Sequence, residues 1–320
     1  MNTVPVLDLA HFRGPERARF VAEFGAALQH YGFVSIHGHD IGSALTEPSY
    51  QAIRRFFALE EALKHKYVVP GTGGARGYTP FGIETAKDQS APDLKEFFHV
   101  GRELAHDNPY GMLPNVWPSE LPELRTSTLA LWRALEALGT ELLRATALFL
   151  GLDAHWFDDK IDHGNSILRP LHYPPVPAHV HGVRSAAHED INLITLLVSS
   201  GEPGLEILRR GRSASADAPA QQDSWLAIAP VADQVVVNVG DMLQRLTNHA
   251  LVSTTHRVVN PEPPWHARSR YSIPFFLHPN PDFLIRTLPS CVDNARPDRY
   301  PEPITANAFL EQRLREIGLL

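Results

Sequence analysis

The chain has 320 residues, 43% of them apolar and 20% charged, which excludes a disordered or collagen-like polypeptide and is enough to bury a substantial core. Twenty-nine lysines and arginines against 36 aspartates and glutamates give a net charge of −7, with no basic footprint for nucleic acid. The single cysteine, Cys291, excludes an intrachain disulfide and a four-cysteine zinc site, and with no signal-peptide pattern or membrane-length apolar run, a cytoplasmic protein is expected.

In chain order, residues 4–9 read as a short opening strand. Residues 15–31 carry Phe20, Val21, Phe24, Ala27 and Leu28 at a helical period, with Pro15 suited to a first turn. Residues 32–36 alternate as a strand, and 49–65 return to a helical period. The longest helical stretch is 118–151, where Pro122 is expected to split off a short first turn. Near residue 165 the character changes. Short β-type runs follow at 167–173, 192–198, 205–209, 225–228, 235–239, 256–259 and 270–277, separated by Gly, Pro and Asn, and 306–317 reads as a closing helix. Residues 210–222 are rich in Ser, Ala, Gln and Asp and read as a long mobile hairpin loop. The expected organisation is a helical and strand region over 1–165 packed on a β domain over 166–320, the two forming one compact unit. Strands at this spacing predict a sandwich or barrel.

The glycine-rich stretch 71–77 matches neither the dinucleotide fingerprint nor the P-loop, so it reads as a loop. The His37/His39 and His179/His181 pairs lack a third ligand and read as turn pairs. His188-Glu189-Asp190 differs. In an extended segment, His188 and Asp190 project to one side while Glu189 turns away. His256 opens a β-branched strand further on, and two histidines with one carboxylate on a sheet form the facial triad of non-haem Fe(II) oxygenases, with open positions for a co-substrate and O2. His249 competes with His256, but it follows the turn-like Thr247-Asn248 and lacks the Arg-Val strand, so His256 is favoured. Arg270 and Ser272 share a strand face, and a guanidinium fork beside a hydroxyl suits a carboxylate. By the same parity Phe276 faces that side. Arg169, Leu171 and Tyr173 also share a face. An inward Arg169 needs a partner, either an internal carboxylate or an anionic substrate.

Taken together, these residues resemble the isopenicillin-N-synthase-like family of Fe(II)- and 2-oxoglutarate-dependent oxygenases, over nearly the whole chain. The resemblance rests on 4–9, on Gly32-Phe33-Val34-Ser35-Ile36, on Phe56-Phe57-Ala58-Leu59 with Lys64 and Tyr67, and on Leu171-His172-Tyr173-Pro174-Pro175. His188-x-Asp190, Asn238-Val239-Gly240-Asp241, Asn248, His256-Arg257-Val258 and Arg270-x-Ser272 follow in family order. It implies a mixed α and β fold with a double-stranded β-helix (jelly-roll) core and flanking helices. It implies Fe(II) ligands His188, Asp190 and His256, and 2-oxoglutarate contacts Arg270, Ser272 and Tyr173. The implied activity is a dioxygenase that oxidises, usually hydroxylates, a small molecule with release of succinate and CO2. Arg169 and Phe276 are the expected substrate contacts, the first toward an anionic group. Two departures stand out: the long interval between Asp190 and His256, and Leu171 where many members carry asparagine. Two other readings remain open from sequence: a family oxidase that uses no 2-oxoglutarate, and a catalytically silent jelly-roll binding protein.

Overall fold

A computed structural model of the protein describes residues 3–72, 75–85, 92–103, 108–176, 182–198, 201–211, 222–260 and 267–316. The first half runs β1 (Val6–Asp8), α1 (Leu9–Arg13), α2 (Arg17–His30), β2 (Phe33–His37), α3 (Ser43–Phe57), α4 (Glu61–Lys64), β3 (Gly77–Thr79), β4 (Glu96–Gly101), α5 (Pro122–Phe149) and α6 (Asp158–Ile161). The second half runs β5 (Ile167–Leu168), β6 (Leu171–Tyr173), β7 (Ser185–His188), β8 (Ile194–Val198), β9 (Leu205–Arg209), β10 (Ser224–Ala227) and β11 (Val235–Val239). Then come α7 (Asp241–Leu246), β12 (His256–Val258), β13 (Arg270–Leu277), β14 (Leu284–Ile285), β15 (Ile304–Thr305) and α8 (Ala306–Glu316).

Two sheets form the core. The larger runs β1-β2-β11-β8-β13-β5-β4-β3, with β6 paired to β13 and β4; the smaller runs β10-β9-β12-β7. The expected jelly-roll core with flanking helices is what the chain forms. The period of two divides each central strand between two buried faces. Ile194, Leu196 and Val198 of β8, Val235, Val237 and Val239 of β11, and Ile273, Phe275 and Leu277 of β13 pack with Leu131, Trp132, Leu135 and Leu142 of α5. The opposite faces of β8 and β13 look into the space between the sheets. Helix α5 is thus the keel of the outer layer, with α2 and α3 against it. Leu135 and Leu142 are fully buried, and truncating either to alanine costs about 2–5 kcal/mol.

As expected, Pro122 separates a short turn, closed by Leu121 N–H on the Pro118 carbonyl at 3.1 Å, from the helix; it occupies the first position of α5, where its fixed φ suits the helix and no N–H bond is lost. Several other local expectations need correction. The helical stretch 49–65 is two helices. α3 starts earlier, at Ser43, and runs through Pro48; it stops at Phe57, and Glu60 turns extended before α4. The run 167–173 breaks at Arg169-Pro170 into β5 and β6, since Pro170 has no N–H to offer the ladder. Strands β3 and β4 and helix α7 are additions. Most of the 210–222 loop, together with His179 and His181, lies outside the described residues.

Candidate active site

The site is built on strand parity and pairing register. His256 of β12 lies directly opposite His188 of β7 in the antiparallel ladder. Their rings stand 4.4 Å apart, centroid to centroid. Asp190 follows two residues after His188, and its Oδ1 lies 3.8 Å from His256 Nε2. One ligand atom from each of His188, Asp190 and His256 falls within 4.8 Å of the others. Glu189 points elsewhere and accepts a hydrogen bond from the Thr255 hydroxyl. His249 stacks on Tyr300 and bonds its hydroxyl at 2.6 Å, lining a groove that none of His188, Asp190 and His256 lines.

The protons on these groups decide whether they suit a metal. His188 Nδ1–H donates to the Ala186 carbonyl at 2.7 Å, and His256 Nδ1–H donates to the Thr254 carbonyl at 3.1 Å. A carbonyl only accepts, so Nδ1 of each ring carries a proton and Nε2 is the atom each ring can offer a metal. Burial, then the neighbouring His256, pushes His188 down to about 4, so its imidazole is neutral, the form that binds metal. Burial opposes ionisation of Asp190, but the two histidines, Asn238 and Thr195 outweigh it and hold the carboxyl below its ordinary range. Asn238 Nδ2 at 2.8 Å and Thr195 Oγ1 at 2.6 Å both donate to Oδ2, leaving Oδ1 to the centre of the triad. Gly240 makes this packing possible: a Cβ there would lie 2.2 Å from the Asn192 carbonyl oxygen. Just beyond it, Asp241 N–H donates to the Asp190 carbonyl at 2.7 Å. The donor set, two imidazoles and one carboxylate on a sheet scaffold, fits a divalent iron with open positions.

Behind the triad, between the sheets, is a small pocket of about 70 Å3. Arg270, Ser272 and Tyr173 line it, as the sequence predicts. Arg270 is buried, donates to Ser272 Oγ at 3.2 Å and lies over the Tyr173 ring at 5.1 Å. Its Nε has no hydrogen-bond partner, and among the described residues no carboxylate pairs with its guanidinium. A buried cation in that state suits an anionic ligand. Leu171 packs with Phe97, Tyr173 and Val258, so the position where many family members carry asparagine is apolar here.

In front of the triad lies a larger cavity of about 350 Å3, which shares Arg169, His188, Asp190 and Phe276 with the pocket behind. Arg169 is half-buried; its Nε donates to His99 Nε2 at 2.5 Å, its Nη1 pairs with Glu84 Oε2 at 3.3 Å, and its guanidinium lies over Phe276 at 5.0 Å. Glu84 in turn receives Lys95 Nζ at 2.8 Å, and Lys95 donates to Asp93 at 2.7 Å. Asp93 accepts the Ala186 N–H at 2.9 Å. This chain of charges therefore ends on the residue whose carbonyl fixes the His188 tautomer. Sequence reasoning missed Glu84, Asp93 and Lys95, which come from a segment with no periodic signal. It also missed His278, although its parity with Phe276 marks it as a cavity residue. The family-like Lys64 is buried on Glu96 at 2.8 Å, and Glu96 also takes His172 Nδ1 at 2.7 Å, tying α4 to the strand that carries Tyr173.

Two family models match the chain. Residues 4–120 match the N-terminal region of non-haem dioxygenases of morphine synthesis, and residues 164–279 match the 2OG-Fe(II) oxygenase superfamily. A 2-oxoglutarate-Fe(II) type oxidoreductase of Emericella nidulans, hxnY, is 34% identical over 94% of this chain and 86% of that protein. Among solved structures, a 2OG-Fe(II) oxygenase family protein from Caulobacter crescentus superposes with a TM-score of 0.86 at 42% identity, covering 99% of this chain and 100% of that one. A full-length Neurospora crassa protein, solved in complex with alpha-KG and thymine, gives 0.80 at 31% identity, covering 98% and 96%. The paired imidazoles, the carboxylate and these likenesses lead to one conclusion: the chain belongs to the 2OG-Fe(II) oxygenase superfamily and is an Fe(II)- and 2-oxoglutarate-dependent dioxygenase.

Proposed function

We propose that His188, Asp190 and His256 hold one Fe(II), that Arg270, Ser272 and Tyr173 anchor 2-oxoglutarate, and that the outer cavity takes a small organic substrate along Arg169 and Phe276. When bound, iron with 2-oxoglutarate and O2 supplies the oxidising chemistry, with succinate and CO2 as the co-substrate's products. The protein's own work is placement. Ala186 and Thr254 fix the two ring tautomers, and Asn238 and Thr195 fix the carboxylate. Arg270 receives the distal carboxylate of the co-substrate in a bidentate pair, which also keeps that anion away from the outer cavity. The jelly-roll walls keep water from the reacting centre.

The observation that carries the reading is Arg270, a buried guanidinium with no carboxylate partner among the described residues, in a pocket that opens onto the triad. Anaerobic titration of the protein with Fe(II) and then 2-oxoglutarate tests it. The expected result is one iron per chain, lost in His256→Ala and kept in His249→Ala. Iron binding that survives His256→Ala and disappears in His249→Ala contradicts the ligand set.

An anionic substrate, the finer expectation from Arg169, would have to compete with Glu84 for that guanidinium. Residues 1–165 and 166–320 are read as one working unit, supported by β1 to β4 sharing the large sheet with β8, β11 and β13. None of the described helices is long and apolar enough to cross a membrane. A cytoplasmic location fits a chain with one buried cysteine.

A further inference from the structure

The floor of the outer cavity continues past the last paired residues of β13. Phe275 lies opposite Leu168 and Phe276 opposite Ile167. Continuing that register by two residues sets His278 opposite Asn165. Two contacts hold the extension. His278 N–H donates to Ser166 Oγ at 3.1 Å, and a Cβ on Gly164 would sit 2.0 Å from the His278 carbonyl oxygen. His278, Asn165 and Phe276 all line the cavity.

Their hydrogen-bonding capacity is specific. Burial pushes His278 down to about 4, so its ring is neutral and offers one donor and one acceptor. Asn165 Oδ1 accepts from the buried Arg76 at 3.2 Å, which commits the oxygen and leaves the NH2 as the amide's available donor. Charge, by contrast, is already spent. Among the described residues, the two arginines that line the cavity are paired, Arg169 with Glu84 and Arg313 with Asp241. A carboxylate entering here would be buried without a free arginine or lysine among the described residues that line the cavity, which is costly.

We propose that His278 and Asn165 form the polar end of the substrate site and select a neutral molecule bearing a carbonyl beside an N–H or O–H, such as a lactam, imide or amide, lying against Phe276. The carbonyl accepts from Asn165, and His278 takes the adjoining donor or supplies a second one. This rests on the reading of the triad and Arg270 above and adds the substrate's chemical class to it.

The test uses protein loaded anaerobically with Fe(II) and 2-oxoglutarate, titrated calorimetrically with ring compounds of similar size: 2-piperidone, uracil and thymine as the neutral set, benzoate as the anion and benzylamine as the cation. Binding is expected within the neutral set, weakened roughly three- to tenfold by His278→Ala or Asn165→Ala, the cost of about one neutral hydrogen bond. His278→Gln, which keeps a donor and an acceptor, should recover part of it, and 2-oxoglutarate affinity should be unchanged in every folded variant. The proposal is overturned by tighter binding of benzoate or benzylamine, by no binding of any neutral member, or by neutral binding that both alanine variants leave intact. Failure of wild-type protein to take Fe(II) or 2-oxoglutarate, seen before any panel member is added, would instead remove the underlying reading.

Discussion

Arg270 opens β13, Arg169 lies in the break between β5 and β6, which both pair with β13, and both arginines face the space around the triad. Sequence parity turns both inward, Arg270 toward a carboxylate ligand and Arg169 toward either an internal carboxylate or an anionic substrate. Their surroundings separate them. Arg270 is buried with an unsatisfied Nε and no carboxylate partner among the described residues. Arg169 is half-buried and already paired with Glu84, which is shared with Lys95 and, through it, with Asp93. Among the described residues, the inner pocket thus holds a cation without a carboxylate partner, and the outer cavity pairs each of its two arginines with one. A buried guanidinium implies an anionic ligand only when the protein has not supplied the anion itself.

The comparison can be broken at several points. The largest effect lies at the triad, which both compartments share. Alanine at His188, Asp190 or His256 should remove most iron affinity and all turnover, measured by anaerobic metal titration and succinate release. Next is the inner cation. Arg270→Lys keeps charge but loses the fork, and should weaken 2-oxoglutarate binding by about 1.5–3 kcal/mol, roughly 10- to 150-fold. A smaller effect is expected outside. Glu84→Gln removes the anion that occupies Arg169, so benzoate, excluded from the wild-type cavity, should gain measurable affinity. If benzoate binds wild type and variant alike, Arg169 is not neutralised by Glu84.

Much of this was legible in the sequence, because the signals were local. His188-x-Asp190 and Arg270-x-Ser272 declare a shared face through a two-residue period, and the β-branched run after His256 marks its strand. The same period would have reached His278, but the reading stopped at Leu277, where the apolar run ends. Glu84, Asp93 and Lys95 were illegible for another reason. They precede β7 by about a hundred residues of chain and reach it only through packing, so no spacing announces them. The helix read from residue 49 begins at Ser43 instead and continues through Pro48, held by the buried face of Tyr50, Ile53, Phe56 and Phe57.

The smallest prediction concerns acid. His188 and His278 fall from 6.5 to about 4 in the folded protein. Between those values the unfolded chain binds protons that the folded chain does not, so stability falls as pH drops through that window. The depressed Asp190 acts in the same direction at lower pH. The melting temperature of metal-free protein should decline from about pH 6.5 toward pH 4, and His278→Gln should reduce the slope. A flat profile over that range would mean the two imidazoles are not held neutral.

One measurement bears most directly on the contrast between the two arginines: anaerobic calorimetry of 2-oxoglutarate binding to iron-loaded Arg270→Gln and Arg169→Gln, side by side with wild type. The account predicts a loss of more than about tenfold for Arg270→Gln, the value of a charge-assisted pair, and little change for Arg169→Gln. Equal losses in the two variants, or the larger loss in Arg169→Gln, would contradict it.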